Sequence, residues 1–154
     1  REGNNWSYRF ARRQWHLADD PALRYGQLGR FDRDMIALAR EGGILGPERP
    51  GLLWEHQDDK LLVFSRGRFL FAFNFHPHHS YSDLPVPSFP GSWRMRFDTD
   101  ALSYGGFGRL VTGQRHVAAP DATFPGQGSF MRIYLPSRSA LVLEKEQDSG
   151  LASV

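Results

Sequence analysis

The sequence predicts an antiparallel β-sandwich preceded by a helical lead-in. Three observations carry this. Phe69, Phe71, Phe73 and Phe75 alternate along one segment, which is the two-residue period of a strand. Turn-formers and rings are abundant, with 16 Gly, 10 Pro, 12 Phe, 5 Tyr and 4 Trp, a mixture suited to short strands and tight turns. Residues 6–41 instead repeat their apolar positions every three or four residues, and that pattern stops near Pro50.

Size and composition bound the answer. A chain of 154 residues holds one domain of ordinary size and is too short for a complete (β/α)8 barrel, which needs about 200 residues or more. Hydrophobic residues at 40% and charged residues at 23% suit a chain that buries a core. There is no Cys, so disulfides, thiolate zinc sites and Cys nucleophiles drop out. No apolar run is long enough to span a membrane, and Arg1-Glu2-Gly3-Asn4-Asn5 does not read as a signal peptide. The chain begins at Arg1 without an initiator Met and reads as a piece of a longer protein.

The net charge is +2, carried by 17 Arg and only Lys60 and Lys145 among the bases. A nucleic-acid binder concentrates positive charge on one face. Here the densest basic group, Arg9, Arg12 and Arg13, shares a segment with large rings, where Arg stacks and packs. No nucleic-acid partner is expected.

Asn5 can cap a first helix, on which Trp6, Phe10 and Gln14 form a stripe beside Ala11 and Trp15. Asp20-Pro21 is a second start signal, giving a short helix to Leu28 interrupted by Gly26 and Gly29. A third helix begins near Phe31, with Phe31, Met35 and Leu38 as its stripe and Gly42-Gly43 as its stop. From Gly51 the pattern is β. Leu61 to Ser65 and Phe69 to Phe75 form a hairpin around Ser65-Arg66-Gly67-Arg68. The four Phe rings on one face must be covered, and they are the expected core of the β-domain. Tyr81 to Val86, Ser92 to Asp98, Phe130 to Leu135 and Ala140 to Glu144 are further strands, the last two joined as a hairpin by Pro136-Ser137-Arg138-Ser139. Residues 101–129 read as connecting loops. The expected division is 1–48 helical, 49–146 an all-β sandwich of six to eight strands, and 147–154 a flexible tail.

Five patterns bear on chemistry. The carboxylate pairs Asp19/Asp20, Asp32/Asp34, Asp58/Asp59 and Asp98/Asp100 would need to share a cleft to act as a glycosidase couple, and each has a local turn or helix-start reason to exist. His76, His78 and His79 form the one dense imidazole cluster, but Pro77 marks a turn and only Asp83 is at ligand spacing. Ser137 and Ser139 lie in a turn with no Gly-x-Ser-x-Gly elbow, and Tyr104-Gly105-Gly106-Phe107-Gly108 lacks phosphate-binding spacing. Trp54, Tyr81, Trp93 and Tyr104 are candidate glucan contacts, with core packing the ordinary fate of such rings.

A longer pattern joins these pieces. Asn4-Asn5-Trp6-Ser7-Tyr8-Arg9-Phe10-Ala11-Arg12-Arg13-Gln14-Trp15, Leu23-Arg24-Tyr25 and Phe31-Asp32-Arg33-Asp34-Met35 are followed by Phe73-Asn74-Phe75-His76-Pro77 and Ser80-Tyr81-Ser82-Asp83. Pro90-Gly91, Tyr104-Gly105-Gly106 and Pro136-Ser137-Arg138-Ser139-Ala140-Leu141-Val142-Leu143 complete it. In this order and spacing the string resembles the C-terminal portion of 1,4-α-glucan (glycogen) branching enzymes, members of the α-amylase superfamily. The likeness covers about residues 1–145 and departs at His78-His79, 87–90 and 109–128.

The resemblance implies that residues 1–48 are the last helical part of a catalytic (β/α)8 barrel and that residues 49–146 are the superfamily's C-terminal all-β domain. It implies a transferase of glycogen biosynthesis, working in the cytoplasm without metal or organic cofactor. Such an enzyme breaks an α-1,4 bond through a glucosyl-enzyme ester and passes the chain to a glucan 6-hydroxyl. The catalytic carboxylates of the family lie upstream of Arg1, so no catalytic residue is expected here. The expected partners are the barrel of the same polypeptide and, through it, an α-glucan. Asn4 and Asn5 would sit where loops after barrel strands line the active face, bordering an acceptor subsite. The alternative is an independent carbohydrate-binding sandwich.

Overall fold

The computed structural model describes residues 14–147. Asn4, Asn5, Trp6 and Phe10, the helix that Asn5 would cap, and the tail beyond 147 lie outside the described residues.

A 3-10 helix, Trp15–Ala18, opens the described chain. Asp20-Pro21 then makes a turn, not a helix start. The Asp20 carboxylate accepts from the Ala22 N–H at 2.9 Å, and its carbonyl accepts from Leu23 N–H. One continuous helix, α1, follows over Tyr25–Glu41, replacing the two helices expected there. Gly26 and Gly29 do not break it. An interior Gly costs a helix about 1 kcal/mol, and α1 gains more than that from the face it buries. Phe31, Asp34 and Leu38 turn inward, whereas Met35, expected on this stripe, is 42% exposed. Gly42 ends the helix where a Cβ would meet the Phe69 ring, and Gly43 follows with φ +61°.

Eight antiparallel strands follow: β1 Gly51–His56, β2 Leu61–Arg66, β3 Phe69–Asn74, β4 Tyr81–Ser88, β5 Gly91–Asp98, β6 Arg115–Pro120, β7 Ser129–Leu135 and β8 Ser139–Lys145. They pair in the order β1-β2-β3-β8-β5-β6-β7-β4. β6 makes the sheet fold over on itself. Its first residues pair with β5, and Ala119 and Pro120 pair with β7. Its place among the expected loops has a physical cause. Only Ala118 of β6 is buried and Val117 is 69% exposed, so hydrophobic alternation is absent and pairing alone defines the strand.

The core between the two layers comes from alternate residues of β2, β3, β4, β5, β7 and β8, with Ala118 of β6. Leu61, Val63, Leu70 and Ala72 on one side meet Leu84, Val86, Met131, Ile133 and Leu135 on the other, with Trp93, Met95, Leu141 and Leu143 between them. The Phe series does not contribute to this core. It occupies the opposite, outer face of β3, because Leu70, Ala72 and Asn74 take the inner positions.

The β2–β3 hairpin forms as predicted, with Gly67 at φ +57° in its turn. The second expected hairpin does not form. β7 pairs with β4 and β6, and β8 inserts between β3 and β5. Pro136-Ser137-Arg138 therefore carries the chain from one layer to the other. Arg138 turns it at φ +54°, Ser139 Oγ donates to the Pro136 carbonyl at 2.7 Å, and Ser80 Oγ accepts from Ser137 N–H at 2.9 Å.

Candidate functional site

α1 lies on the outer face of the sheet. Leu38 is buried against Phe69, Phe97 and Val142, with Phe31, Ile44, Phe71 and Tyr104 around them. Phe31 meets the Tyr104 ring edge-on at 5.5 Å and the Phe97 ring at 5.5 Å. Two polar contacts fix the register of this seat. Tyr104 Oη donates to Asp34 at 3.0 Å, and Arg96 reaches from β5 to Glu41 at 3.0 Å while also bonding Glu144. The hydrogen bonds from Arg33 and Tyr104 hold the Asp34 carboxyl below the usual range, and burial, then Asp34, pushes the Tyr104 phenol up.

Beneath the N-terminal half of α1 the 98–109 loop is organised by Asp100. This carboxylate is 4% exposed and accepts from Arg109 Nε at 2.9 Å, Arg109 Nη2 at 2.8 Å, and the Arg109 and Phe107 N–H groups. Burial alone would raise its pKa, but these bonds outweigh burial and hold it low. Gly106 is pressed against the Asp100 backbone, and Gly105 (φ +81°) abuts Gln27 of α1. The glycines thus wrap a carboxylate and admit the helix. Asp98 is buried too, with Oδ1 accepting from Asp100 N–H and Oδ2 without a hydrogen bond. Burial pushes its carboxyl up.

Each of the four carboxylate pairs has at least one member held in a local contact. Asp20 and Asp34 have the bonds already described. Asp59 sits 3.1 Å from His56 in the β1–β2 turn. Asp98 and Asp100 are committed as above. His76 Nδ1 accepts from the His78 and His79 N–H groups at 3.1 and 2.8 Å, which makes it the pin of its own loop. Among the described residues no group of three His, Asp or Glu side chains is placed to hold a metal ion.

The candidate sugar-contact rings do not converge. Trp93 is 1% exposed in the sandwich core and its Nε1–H donates to Phe89 O, so it presents no face to a ligand. Trp54 and Tyr81 pack half-buried against the same core, and Tyr81 stacks on His79 at 4.3 Å and donates to Asp59 O. Tyr104 belongs to the helix seat.

Two features escaped the sequence reading. Asn74, 1% exposed, donates to Leu135 O at 3.2 Å and His79 O at 2.8 Å and accepts from His76 N–H. An inward Asn at the end of an apolar strand was the available signal. The other is a row of stacked rings on the outer face, where Phe64 meets Phe71 at 4.7 Å and Phe73 at 5.9 Å, and Phe73 meets Phe75 at 5.5 Å.

The alpha amylase, C-terminal all-beta domain family matches residues 54–146. The whole chain is similar to proteins named 1,4-alpha-glucan-branching enzyme. The Yarrowia lipolytica relative is 36% identical over 149 residues, covering 96% of this chain and 22% of the relative. That of Felis catus is 41% identical over 94% of this chain and 21% of the relative. The Oryza sativa chloroplastic/amyloplastic relative is 42% identical over 82% of this chain and 15% of the relative. The chain therefore spans about a fifth of the length of the curated relatives it matches, or less.

Proposed function

The chain belongs to the family of alpha amylase C-terminal all-beta domains, and we propose that it is the C-terminal part of a glucan branching enzyme, non-catalytic in itself, which stabilises a catalytic barrel preceding it. The observation that carries this reading is the seat of α1. A helix N-terminal to the matched domain is locked on the outside of the sheet by Leu38, the Asp34–Tyr104 bond and the Glu41–Arg96 pair. A domain that clamps the helix before it is suited to hold the end of a barrel.

In this reading residues 1–48 complete the barrel, residues 49–146 form the supporting domain, and 147–154 is a tail. The parent enzyme works in the cytoplasm, breaks an α-1,4 bond and joins the freed chain to a glucan 6-hydroxyl. It uses carboxylates that this chain does not supply and needs no cofactor. The partners are the barrel itself and, through it, an α-glucan. No nucleic-acid partner is part of this reading; on the sheet Arg68 and Arg96 share Glu144, and Arg94 and Arg115 share Glu146. No helix among the described residues is long and apolar enough to cross a membrane.

An amylose–iodine assay tests the proposal. The purified 154-residue chain leaves the stain unchanged, whereas the product of the full parent reading frame shifts it. Branching by the chain alone, or none by the parent, overturns the reading. Glycogen affinity electrophoresis addresses the alternative of a carbohydrate-binding module: retardation of the chain alone would favour it over a purely supporting role.

A further inference from the structure

We propose that the cleft where the end of β8 meets β5 and the start of β3 binds a phosphate dianion, either free or as the monoester of a small sugar. The cleft has a volume of about 390 Å³ and is lined by Arg68, Arg94, Arg96 and Lys145 with Glu144 and Glu146. Small-ligand sites run from roughly 300 to 1,000 Å³, so this one suits a compact anion and not a polymer. Register brings the charges together. Glu144 of β8 stands opposite Phe69 of β3, next to Arg68, and opposite Arg94 of β5, which in turn pairs with Arg115 of β6. The register shift between Met95 and Phe97 lets Arg96 reach Glu144 as well.

Three observations select a phosphate. The first is the order of burial. The Glu144 and Glu146 side chains are 15% and 26% exposed, whereas those of Arg68, Arg94 and Arg115 are 50%, 46% and 65% exposed. The carboxylates lie beneath the guanidiniums, so the cleft presents positive charge to solvent. The second is the balance. Four cations line the cleft against two carboxylates, a surplus of two, which matches the charge of about −1.5 to −2 on a phosphate monoester near pH 7. At the rim Arg96 also reaches Glu41, and Arg115 adds a further cation. The third is the geometry of the donors. Arg68, Arg94 and Arg115 bond their carboxylates through Nε. That leaves the paired Nη groups of each, the fork that fits two phosphate oxygens. Arg68 is also held over the Phe69 ring at 5.2 Å. Guanidiniums pinned in this way lose little freedom when an anion arrives.

Titrations of the 154-residue chain and of the parent polypeptide test this, read by calorimetry and by the thermal midpoint. The probes are sodium phosphate, glucose 6-phosphate and glucose, with sodium chloride holding the ionic strength constant. Phosphate and glucose 6-phosphate should bind saturably and raise the midpoint of both proteins, as a ligand of the folded state does, and glucose should do neither. Tighter binding of glucose 6-phosphate assigns the site to a sugar ester, and equal binding assigns it to the free ion. Arg68→Gln and Arg94→Gln should each weaken binding about tenfold, the loss expected for a charged hydrogen-bond partner. Their midpoints without ligand should barely move, because Arg96 and Arg115 still hold the shared carboxylates. Arg132→Gln, which lies on β7 and pairs with Asp83 and Asp121, should leave binding unchanged. The proposal is overturned if no saturable binding occurs, or if Arg68→Gln and Arg94→Gln bind as well as the parent sequence or no worse than Arg132→Gln. Binding by the chain and not by the parent polypeptide also overturns it, since the preceding polypeptide would then fill the cleft. None of these outcomes alters the amylose–iodine result, which tests the functional reading separately.

Discussion

The Asn74 side chain donates to the main-chain carbonyl of Leu135 at 3.2 Å, joining β3 to β7 across the sandwich. The same amide donates to His79 O and accepts from His76 N–H, so one buried side chain ties two layers and a loop. Removing it strands three backbone groups. Each buried group left unpaired costs about 1–3 kcal/mol. Asn74→Ala should lower stability by at least one such increment, and Asn74→Asp by more, because a carboxylate there would bury a negative charge against two carbonyl oxygens. Urea denaturation midpoints report this; a change within error for Asn74→Ala would show that the bonds are dispensable.

Two glycines should respond oppositely to alanine. Gly106 has no room for a methyl against the Asp100 backbone, so Gly106→Ala forces the loop to shift and costs about 1–3 kcal/mol or more. Gly29 lies inside α1 with nothing within 4 Å of a new Cβ, so Gly29→Ala should stabilise by about 0.4–1 kcal/mol. Thermal melts of the two variants should move in opposite directions. A destabilised Gly29→Ala would place α1 wrongly.

The helix seat predicts a localised loss. Leu38→Ala should cost about 2–5 kcal/mol, the range for a buried Leu that leaves a cavity. Hydrogen exchange should show faster exchange in α1 than in β7, because Leu38 belongs to the outer cluster and not to the sandwich core. Uniform acceleration of both would mean that helix and sandwich unfold as one unit.

Asp98 and Asp100 should titrate with opposite signs. Asp100 has a depressed folded pKa, so its contribution is present above the ordinary carboxylate value near 3.8 and is lost as pH falls through its folded value. Asp98 has a raised folded pKa, so the folded state loses stability as pH climbs from about 3.8 through the folded value. Asp98→Asn should therefore be more stable than the parent sequence at pH 7, with the advantage shrinking in acid. Arg109→Met should remove most of the acid sensitivity attributable to Asp100. Chemical denaturation at a series of pH values distinguishes the two. An Asp98→Asn variant that is weaker at pH 7 would mean that its charge is compensated.

His76 gives a third titration. Burial, then the neighbouring Lys60, keep its imidazole below the ordinary value of 6.5, in accord with Nδ1 accepting two N–H groups. The stability that it gives the 76–79 loop is present above pH 6.5 and falls away as pH drops through the depressed folded value. Amide exchange at His78 and His79 should accelerate in that window. In a His76→Ala variant it should be fast throughout, and a pH-dependent step that survives there would assign the titration to another group.

The helix stop at Gly42-Gly43, the first hairpin and the alternation of β3 could be read from the sequence because each rests on local chemistry. What could not be read was decided by tertiary partners. Alternation places Phe69, Phe71, Phe73 and Phe75 on one face, but not on the inner one. That depended on Leu70, Ala72 and Asn74 meeting β7 and β8, which are far away in sequence. β6 carries almost no hydrophobic signal because its neighbours define it. The Pro136–Ser139 turn has the composition of a hairpin, and only the slot between β3 and β5 shows that it is a crossing. Of the candidate site, the Tyr104-Gly105-Gly106 motif was visible as a tight loop, whereas the carboxylate it encloses became apparent only from the fold.

That slot has a consequence for how the molecule comes into being. β8 is the last of the described strands in sequence yet central in the sheet, where it pairs Phe69 with Glu144 and Phe97 with Val142. Contacts so distant along the chain are slow to form, since the entropy of closing the intervening loop is lost first. A ribosome delivering this chain from its N-terminus releases β8 after the seven other described strands. Until then β3 and β5 have open edges and nothing between them. A stop codon anywhere before residue 139 would leave two separate half-sheets with exposed edges, prone to aggregate. Closure of the sheet thus waits on the synthesis of β8.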